Sequence, residues 1–235
     1  KKLIEIPNYI NGLFEISEEQ KILKNYLGDD FAITYNVQDS LLRKAKRNIF
    51  RCRQKLNEIP LSKLIAVIKK TMDYYFTDEK DLEIIAYLTG SPYSFLKASF
   101  EELKSWCRSI EGYLMLCFGQ ENYELVPIVH QERIIGFKRY IPRGPIIGIL
   151  PKNSEAECVY LITQILLSKN PAIIRASSSL GSSFSSIKFI EAMHKALDFF
   201  NDEQLEILKE TFAIVNVFDN NPVSVIKRLE IDEGI

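Results

Sequence analysis

Residues 139–179 read RYIPRGPIIGILPKNSEAECVYLITQILLSKNPAIIRASSS, and this stretch decides the fold. The run Pro145–Leu150 is apolar without interruption, which is typical of a parallel strand covered on both faces. The residues after it predict an apolar helix over Glu155–Ser168, a turn at Asn170-Pro171 and a second strand over Ala172–Arg175. Strand, helix and strand in this order predict a right-handed βαβ unit with a parallel sheet.

The same rhythm continues towards the end of the sequence. Ser177–Ser179 are predicted to cap a long helix whose apolar stripe runs from Leu180 to Phe200. After it we expect a short helix over Asp202–Thr211, a buried strand over Ala213–Phe218 and a helix over Pro222–Leu229. Residues 126–235 therefore predict a Rossmann-like part of the chain, in which a short strand over Arg133–Ile141 precedes the parallel strands.

Residues 1–125 have a different pattern, which predicts a helical layer with a small hairpin. Asn11-Gly12 between apolar runs is a strong hairpin signal, and an extended piece follows at Phe31–Tyr35. Helical spacing then begins after Asp39. We expect four helices. The first is capped by Ser40 and reaches Leu56, and the second runs from Pro60 to Met72. The third covers Asp78–Leu88 and is stopped by Gly90 and Pro92, and the fourth covers Tyr93–Leu116.

Composition excludes several classes of protein. The 235 residues carry 30 basic and 31 acidic side chains, so the net charge of -1 provides no general attraction to nucleic acid or to an anionic membrane. The start KKLIEIPNYI predicts no signal peptide, and no apolar run reaches the roughly 18 residues of a membrane span, so a cytoplasmic protein is expected. The four cysteines form no CxxC pair and the two histidines lie far apart, which argues against a metal site and a disulfide scaffold.

Polar residues follow each predicted parallel strand. These ends are Pro151–Ser154, Arg175–Ser178 and Asp219–Asn221. Because ligands of open α/β sheets bind at the carboxyl ends of the strands, these groups predict a site for an anionic, hydroxyl-rich ligand such as a nucleotide. Neither GxGxxG nor GxxxxGK[ST] is present, which argues against an ordinary Rossmann or P-loop site.

Three stretches together resemble the aldehyde dehydrogenase superfamily. Residues 139–179 resemble its pattern of proline, glycine, buried strand, Pro-x-Asn, apolar helix, strand, basic residue and serine. LTGSPYSFLKASFEELKSW (88–106) resembles the family's Gly-x-Pro link between two helices. AIVNVF (213–218), a helix and LEIDEGI (229–235) resemble the strand, helix and strand before its second phosphate-binding loop.

Two further stretches are similar to the bacterial bioluminescence-type long-chain acyl-CoA reductases, or fatty acid reductases. They are the opening INGLFEI (10–16) and the serine-rich IIRASSSLGSSF (173–184). The resemblance implies an aldehyde-dehydrogenase-like α/β fold and an oxidoreductase. Such an enzyme reduces a long-chain acyl thioester to a fatty aldehyde through an acyl-cysteine.

The resemblance also implies roles for single residues. Asn153 matches the asparagine whose amide helps to hold the oxyanion, and Arg175 falls where the family has a lysine that touches the adenosine ribose. Ser178 falls where NAD-preferring members carry a glutamate; a serine beside arginine accepts a 2′-phosphate, so NADP(H) is expected rather than NAD(H). Ser177 is expected either to add a hydroxyl contact or only to cap the helix. Backbone position places three more residues in the same cofactor pocket, Leu150, Pro151 and Lys152.

The sequence departs from the family at its nucleophile. The family's reactive cysteine belongs to a later domain, and none of the four cysteines here matches it. Asp219-Asn220 stands where the family has proline-glycine. Because the sequence stops at Ile235, before that domain and the GSTxxG-like loop, we expect a truncated chain that is inactive alone.

The family's partners are expected for the whole enzyme. These are an acyl-CoA or acyl-protein thioester, acyl-transfer or acyl-activating subunits, and a second copy that associates through the strand Arg133–Ile141.

Two other functions stay open. One is an ordinary NAD(P)-dependent aldehyde dehydrogenase that runs the oxidation. The other is a non-catalytic nucleic-acid-binding helical module that uses residues 43–53, RKAKRNIFRCR, in which six of 11 residues are basic and Phe50 is interleaved. A solvated helix face explains that stretch equally, because Leu42, Ala45 and Ile49 predict a buried opposite side.

Overall fold

The computed structural model describes residues 3–118, 123–151, 154–177, 180–219 and 221–230. Ten strands lie in these ranges: β1 (Ile4–Ile6), β2 (Asn8–Ile10), β3 (Leu13–Glu15), β4 (Gln20–Lys24), β5 (Asp30–Tyr35), β6 (Val126–His130), β7 (Arg133–Lys138), β8 (Ile146–Ile149), β9 (Ala172–Arg175) and β10 (Phe212–Val215). The same ranges contain the helices α1 (Asp39–Glu58), α2 (Leu61–Tyr74), α3 (Glu79–Thr89), α4 (Tyr93–Arg108), α5 (Ile110–Phe118), α6 (Glu157–Ser168), α7 (Leu180–Phe200) and α8 (Pro222–Leu229). A 3-10 turn covers Glu206–Glu210.

The main sheet has the strand order β3-β2-β10-β9-β8. Strands β8, β9 and β10 are parallel, with Ala172 beside both Ile146 and Phe212, so the predicted parallel α/β sheet is confirmed. The predicted hairpin, β2 and β3, is also confirmed, since Asn11 (φ 52°) and Gly12 (φ 81°) both have the left-handed conformation of a type I′ turn. It extends the sheet, because β2 pairs antiparallel with β10.

Strand β8 is less covered than its sequence predicts. It pairs with β9 alone among the described strands and lies at the edge of the sheet, where Ile149 is 48% exposed. The prediction of a strand covered on both faces is therefore wrong for the described chain. An apolar run shows that polar residues are absent from a strand, and it does not show which elements pack on it.

Two smaller sheets complete the strands. In one, β5 pairs parallel with β1 and antiparallel with β4. The other is the ribbon of β6 and β7, in which the strand predicted over Arg133–Ile141 ends at Lys138. Neither β4 nor β6 was predicted, because most of their residues are exposed and show no apolar alternation.

The capping and stop signals in the sequence predicted some helix ends correctly and others wrongly. As predicted, Gly90 (φ 73°) ends α3, and the Asp78 carboxylate caps its start by accepting from the N–H of Lys80. Ser40 is not the cap of α1, which begins one residue earlier with Gln38 at the cap position. The helix predicted over 93–116 is two helices broken at Ser109, and the apolar spacing continues across the break because both helices bury residues in one core.

The N-terminal strands and the parallel sheet share buried contacts. Asn8 is fully buried, and its Nδ2 donates to the carbonyl of Tyr35 (3.0 Å) while its Oδ1 accepts from the N–H of Asn216 (2.7 Å). One side chain thus joins β2, β5 and the residue that follows β10. The division of the chain at residues 125 and 126 stays a prediction.

None of the described helices is long and apolar enough to cross a bilayer.

Replacing Asn8 with alanine should destabilise the fold. The change leaves a buried carbonyl at Tyr35 and a buried N–H at Asn216 without partners, which costs about 3 kcal/mol. Urea titration of the purified chain should show a lower midpoint at unchanged slope. The matched control is Asn48→Ala, because Asn48 makes one long bond of 3.5 Å to the carbonyl of Glu210. Equal losses in the two variants would contradict the role of Asn8.

Candidate functional site

The carboxyl ends of β8, β9 and β10 form one rim of the main sheet. The N–H of Leu150 donates to the carbonyl of Arg175 (3.1 Å), and the N–H of Ala176 donates to the carbonyl of Val215 (2.8 Å). These backbone bonds continue the parallel ladder past the last paired residues. They hold the three strand ends side by side, where ligands of open α/β sheets bind.

Arg175 is the cation that the ladder places at the centre of this rim. Its Nη2 donates to the carbonyl of Asp219 (3.4 Å), while its Nε is buried and has no hydrogen-bond partner. Among the described residues it forms no salt bridge, so a surface ion pair does not account for it. A buried guanidinium N–H without an acceptor costs about 1–3 kcal/mol or more, which a ligand oxygen would offset.

A second wall faces the rim. Lys21 and Leu23 on β4 and Thr34 on β5 close a cleft of about 50 Å³ against the strand ends. The opposite wall is made by Arg175, Ala176, Ser177, Ser183, Asn216, Val217 and Phe218. Sequence reasoning missed this wall, since β4 has no pattern that predicts a strand and nothing local indicates which sheet end it meets.

The predicted site residues fall into two groups. Leu150, Arg175 and Ser177 lie together at the rim; Leu150 and Ser177 are buried, and the carbonyl of Ser177 accepts from the Ser183 hydroxyl (2.8 Å). Pro151 follows Leu150 and is exposed. The remaining predictions, Lys152, Asn153 and Ser178, lie outside the described residues.

Asp219 supplies a negative charge beside this rim. The Ser224 side chain donates to its carboxylate, and with the N–H of Asn221 and the charges of Arg228 and Arg175 it lowers the pKa of Asp219 below its ordinary value. Asp219 therefore stays ionised at neutral pH. Because its negative charge partly offsets the positive charge of Arg175, the rim needs a further cation before it attracts an anion.

The cysteines show which thiols could react. Cys52, Cys107 and Cys158 are buried, and this burial raises the pKa of each thiol to about 12. They remain neutral at physiological pH, whereas a nucleophile must be a thiolate. Cys117 is exposed and lies on α5.

Cys117 lies far from the rim in the topology of the sheet. It lines a separate cavity of about 470 Å³ together with Arg139–Pro142, which precede β8, and Ser168–Asn170, which precede β9. This cavity is therefore at the amino ends of the parallel strands, opposite the rim. Over the part of the chain that the structure describes, no three His, Cys, Asp or Glu side chains cluster as a metal site requires.

The family profile described as acyl-CoA reductase (LuxC) matches residues 56–216 of the chain. That range contains α2 to α7 and strands β6 to β10. No match to this chain was found among curated proteins.

The solved structures with a similar fold include aldehyde dehydrogenases. NADP-dependent glyceraldehyde-3-phosphate dehydrogenase from Bacillus halodurans C-125, complexed with NADP, matches with a TM-score of 0.74 and 13% identity over 96% of this chain and 46% of its own. Salicylaldehyde dehydrogenase from Pseudomonas putida G7, complexed with salicylaldehyde, matches with a TM-score of 0.73 and 13% identity over 99% of this chain and 46% of its own. Aldehyde dehydrogenase 21 from Physcomitrella patens, complexed with succinate, gives 0.72 and 13% over the same shares. The chain thus spans less than half the length of these structures and shares their fold.

Cysteine labelling should separate Cys117 from the other three thiols. In the folded chain at pH 8 a thiol-disulfide reagent such as DTNB should react quickly with one cysteine, because burial keeps the others protonated and inaccessible. All four should react in guanidinium chloride. Cys117→Ser should abolish the fast phase, and fast labelling of Cys158 in the folded chain would contradict this assignment.

Proposed function

The chain belongs to the acyl-CoA reductase (LuxC) family, and on that basis we propose that it forms the cofactor-binding part of an NADP(H)-dependent acyl-CoA reductase. The proposed reaction converts a long-chain acyl thioester into a fatty aldehyde and releases the thiol. When bound, the cofactor supplies the hydride for this reduction. The residues of this chain bind and orient it at the rim of the parallel sheet.

One observation carries the cofactor assignment. The Nε of Arg175 and the Oγ1 of Thr34 are both buried without a partner, and both residues line the cleft at the rim. More than nine in ten buried polar groups in proteins have a partner, so two unpartnered groups in one cleft favour a ligand with several acceptor oxygens. The phosphorylated ribose of NADP(H) has this chemistry. The rim residues therefore fit the cofactor.

Sequence matches assign further roles. Leu150, Pro151 and Lys152 are proposed to line the cofactor pocket through their backbone, and Ser177 and Ser178 to contact the ribose. Asn153 is proposed to donate its amide to the oxygen that becomes negative in the tetrahedral intermediate, which lowers the barrier by about 3–4 kcal/mol.

The nucleophilic cysteine is proposed to lie outside this chain. Three of the four thiols here are buried and protonated, and Cys117 is at the other end of the sheet. The acyl-cysteine would therefore form on a part of the enzyme that faces the rim.

Self-association through the β6–β7 ribbon is proposed for the whole enzyme. Ile134, Ile135 and Phe137 on β7 are each more than half exposed, and such a row of apolar side chains is a surface that favours burial against a second copy. Acyl-transfer or acyl-activating subunits are proposed as further partners, since they would supply the thioester.

The purified chain should bind NADPH more tightly than NADH. Ser178→Glu should reverse this preference and weaken NADPH binding at least about tenfold, because a carboxylate beside the ribose repels the 2′-phosphate and accepts from the free hydroxyls. Isothermal titration with both nucleotides measures this. Ser62→Glu, the same charge change at an exposed serine of α2, should leave both affinities unchanged. Equal binding of NADPH and NADH by the parent chain contradicts the preference.

The product of the whole reading frame that carries this sequence should oxidise NADPH when a long-chain acyl-CoA is added. Asn153→Ala in that protein should lower kcat by about 10²-fold or more and leave NADPH affinity unchanged, because the amide acts only on the reacting oxygen. Reduced nicotinamide absorbs at 340 nm. The change of absorbance at this wavelength therefore gives kcat both for reduction of the acyl-CoA and for oxidation of an aldehyde. Activity with aldehyde and NAD alone would reverse the choice in favour of an oxidising aldehyde dehydrogenase.

A further inference from the structure

The cleft between β4, β5 and the rim has one wall that the parallel sheet does not supply. Successive side chains of a strand point to opposite faces, so Lys21 and Leu23 lie on the cleft side of β4, whereas Ile22 between them lies on the other. Only the first pair lines the cleft. Lys21 thus faces the strand ends across this space.

Three residues that line the cleft carry a donor without a partner among the described residues. The Lys21 side chain forms no salt bridge or hydrogen bond with any other described residue. Thr34 is 5% exposed and its Oγ1 is unpartnered, and the Nε of Arg175 is buried without an acceptor. An ammonium, a hydroxyl and a guanidinium around one space are a donor set for an anion with several oxygens.

The size of the cleft limits what part of a ligand it can hold. A water molecule needs a cavity of roughly 10–15 Å³, so about 50 Å³ accommodates a few waters or one phosphate-sized group. An adenine or nicotinamide ring does not fit in this space. The cleft therefore matches a single phosphoryl group better than a whole nucleoside.

The charges around the cleft indicate which of the three donors favours a phosphorylated ligand. Arg175 and the ionised Asp219 act on each other electrostatically, so their charges partly cancel at the rim. Lys21 then supplies the net positive charge that a dianionic phosphate requires. We propose that Lys21, with Thr34 and Arg175, binds the 2′-phosphate of the dinucleotide and so adds to the preference for the phosphorylated cofactor that is proposed for Ser178. This inference rests on the proposed function, because it assigns a part of the same cofactor.

The test compares two ligands that differ by one phosphate, adenosine 2′,5′-bisphosphate and adenosine 5′-monophosphate, on the purified chain. Lys21→Ala should weaken binding of the bisphosphate about tenfold or more and leave the monophosphate unchanged, since one charge-assisted contact is lost. Lys21→Arg should restore most of the affinity. The bisphosphate affinity of the parent chain should fall with added salt more steeply than that of Lys21→Ala.

The matched control is Lys24→Ala, which removes the same charge from the same strand at a position that does not line the cleft. Both ligands should bind this variant as they bind the parent chain. Thr34→Val is a second test of the cleft, because it removes one hydroxyl and keeps the shape; it should weaken the bisphosphate selectively. Thermal unfolding of each variant confirms that it is folded.

Two failures are distinguishable. If the parent chain binds both nucleotides and Lys21→Ala loses no affinity for the bisphosphate, or if Lys24→Ala loses as much, the assignment of Lys21 is overturned while cofactor binding at the rim stands. If the parent chain binds neither nucleotide and neither NADPH nor NADH, the proposed function is overturned together with this inference.

Discussion

The buried amide of Asn8 connects the two sheets at the point where the cleft is formed. Its donor goes to Tyr35 at the end of β5 and its acceptor to the N–H of Asn216, which directly follows β10. The backbone continues this connection, since the N–H of Val37 donates to the carbonyl of Asn216 (2.8 Å). A side chain with both a donor and an acceptor is needed here, because the groups it joins are one carbonyl and one N–H, both out of reach of water. The wall that carries Lys21 and Thr34 depends on this link for its place against the rim.

A second set of buried hydroxyls fixes the helices beside the rim. The Ser185 hydroxyl donates to the carbonyl of Glu155 (2.6 Å) and so must accept from Tyr75, whose oxygen is 2.6 Å away. This chain of bonds joins the residue that follows α2, the segment before α6 and the first turns of α7. The Ser183 hydroxyl in turn donates to the carbonyl of Ser177. The serine-rich start of α7 therefore has a structural reason as well as the proposed cofactor contact, because each of these hydroxyls satisfies a backbone carbonyl close to the strand ends.

The two ends of the parallel strands differ in chemistry, and this difference separates the roles proposed for them. The carboxyl ends have donors without partners in a small cleft. The amino ends border a larger cavity with the aromatic side chains of Tyr113, Phe118 and Tyr140, next to the exposed apolar strand β7. Polar recognition is thus expected at the first end and apolar association near the second.

Local patterns in the sequence were sufficient for the parallel strand β9, the Asn11-Gly12 hairpin, both ends of α3 and the placing of Arg175 at a strand end. Each of these follows from neighbouring residues, since apolar runs, turn residues and caps act over a few positions. The pairing of β2 with β10, the edge position of β8 and the packing of β4 and β5 against the rim depend on segments up to about two hundred residues apart, and no local pattern records such contacts. The sequence alone therefore determined the α/β core, the resemblance to acyl-CoA reductases and the candidates at the strand ends. Only the tertiary structure brought Lys21 and Thr34 to Arg175, because an exposed lysine on a polar strand acquires a role from what lies opposite it in space.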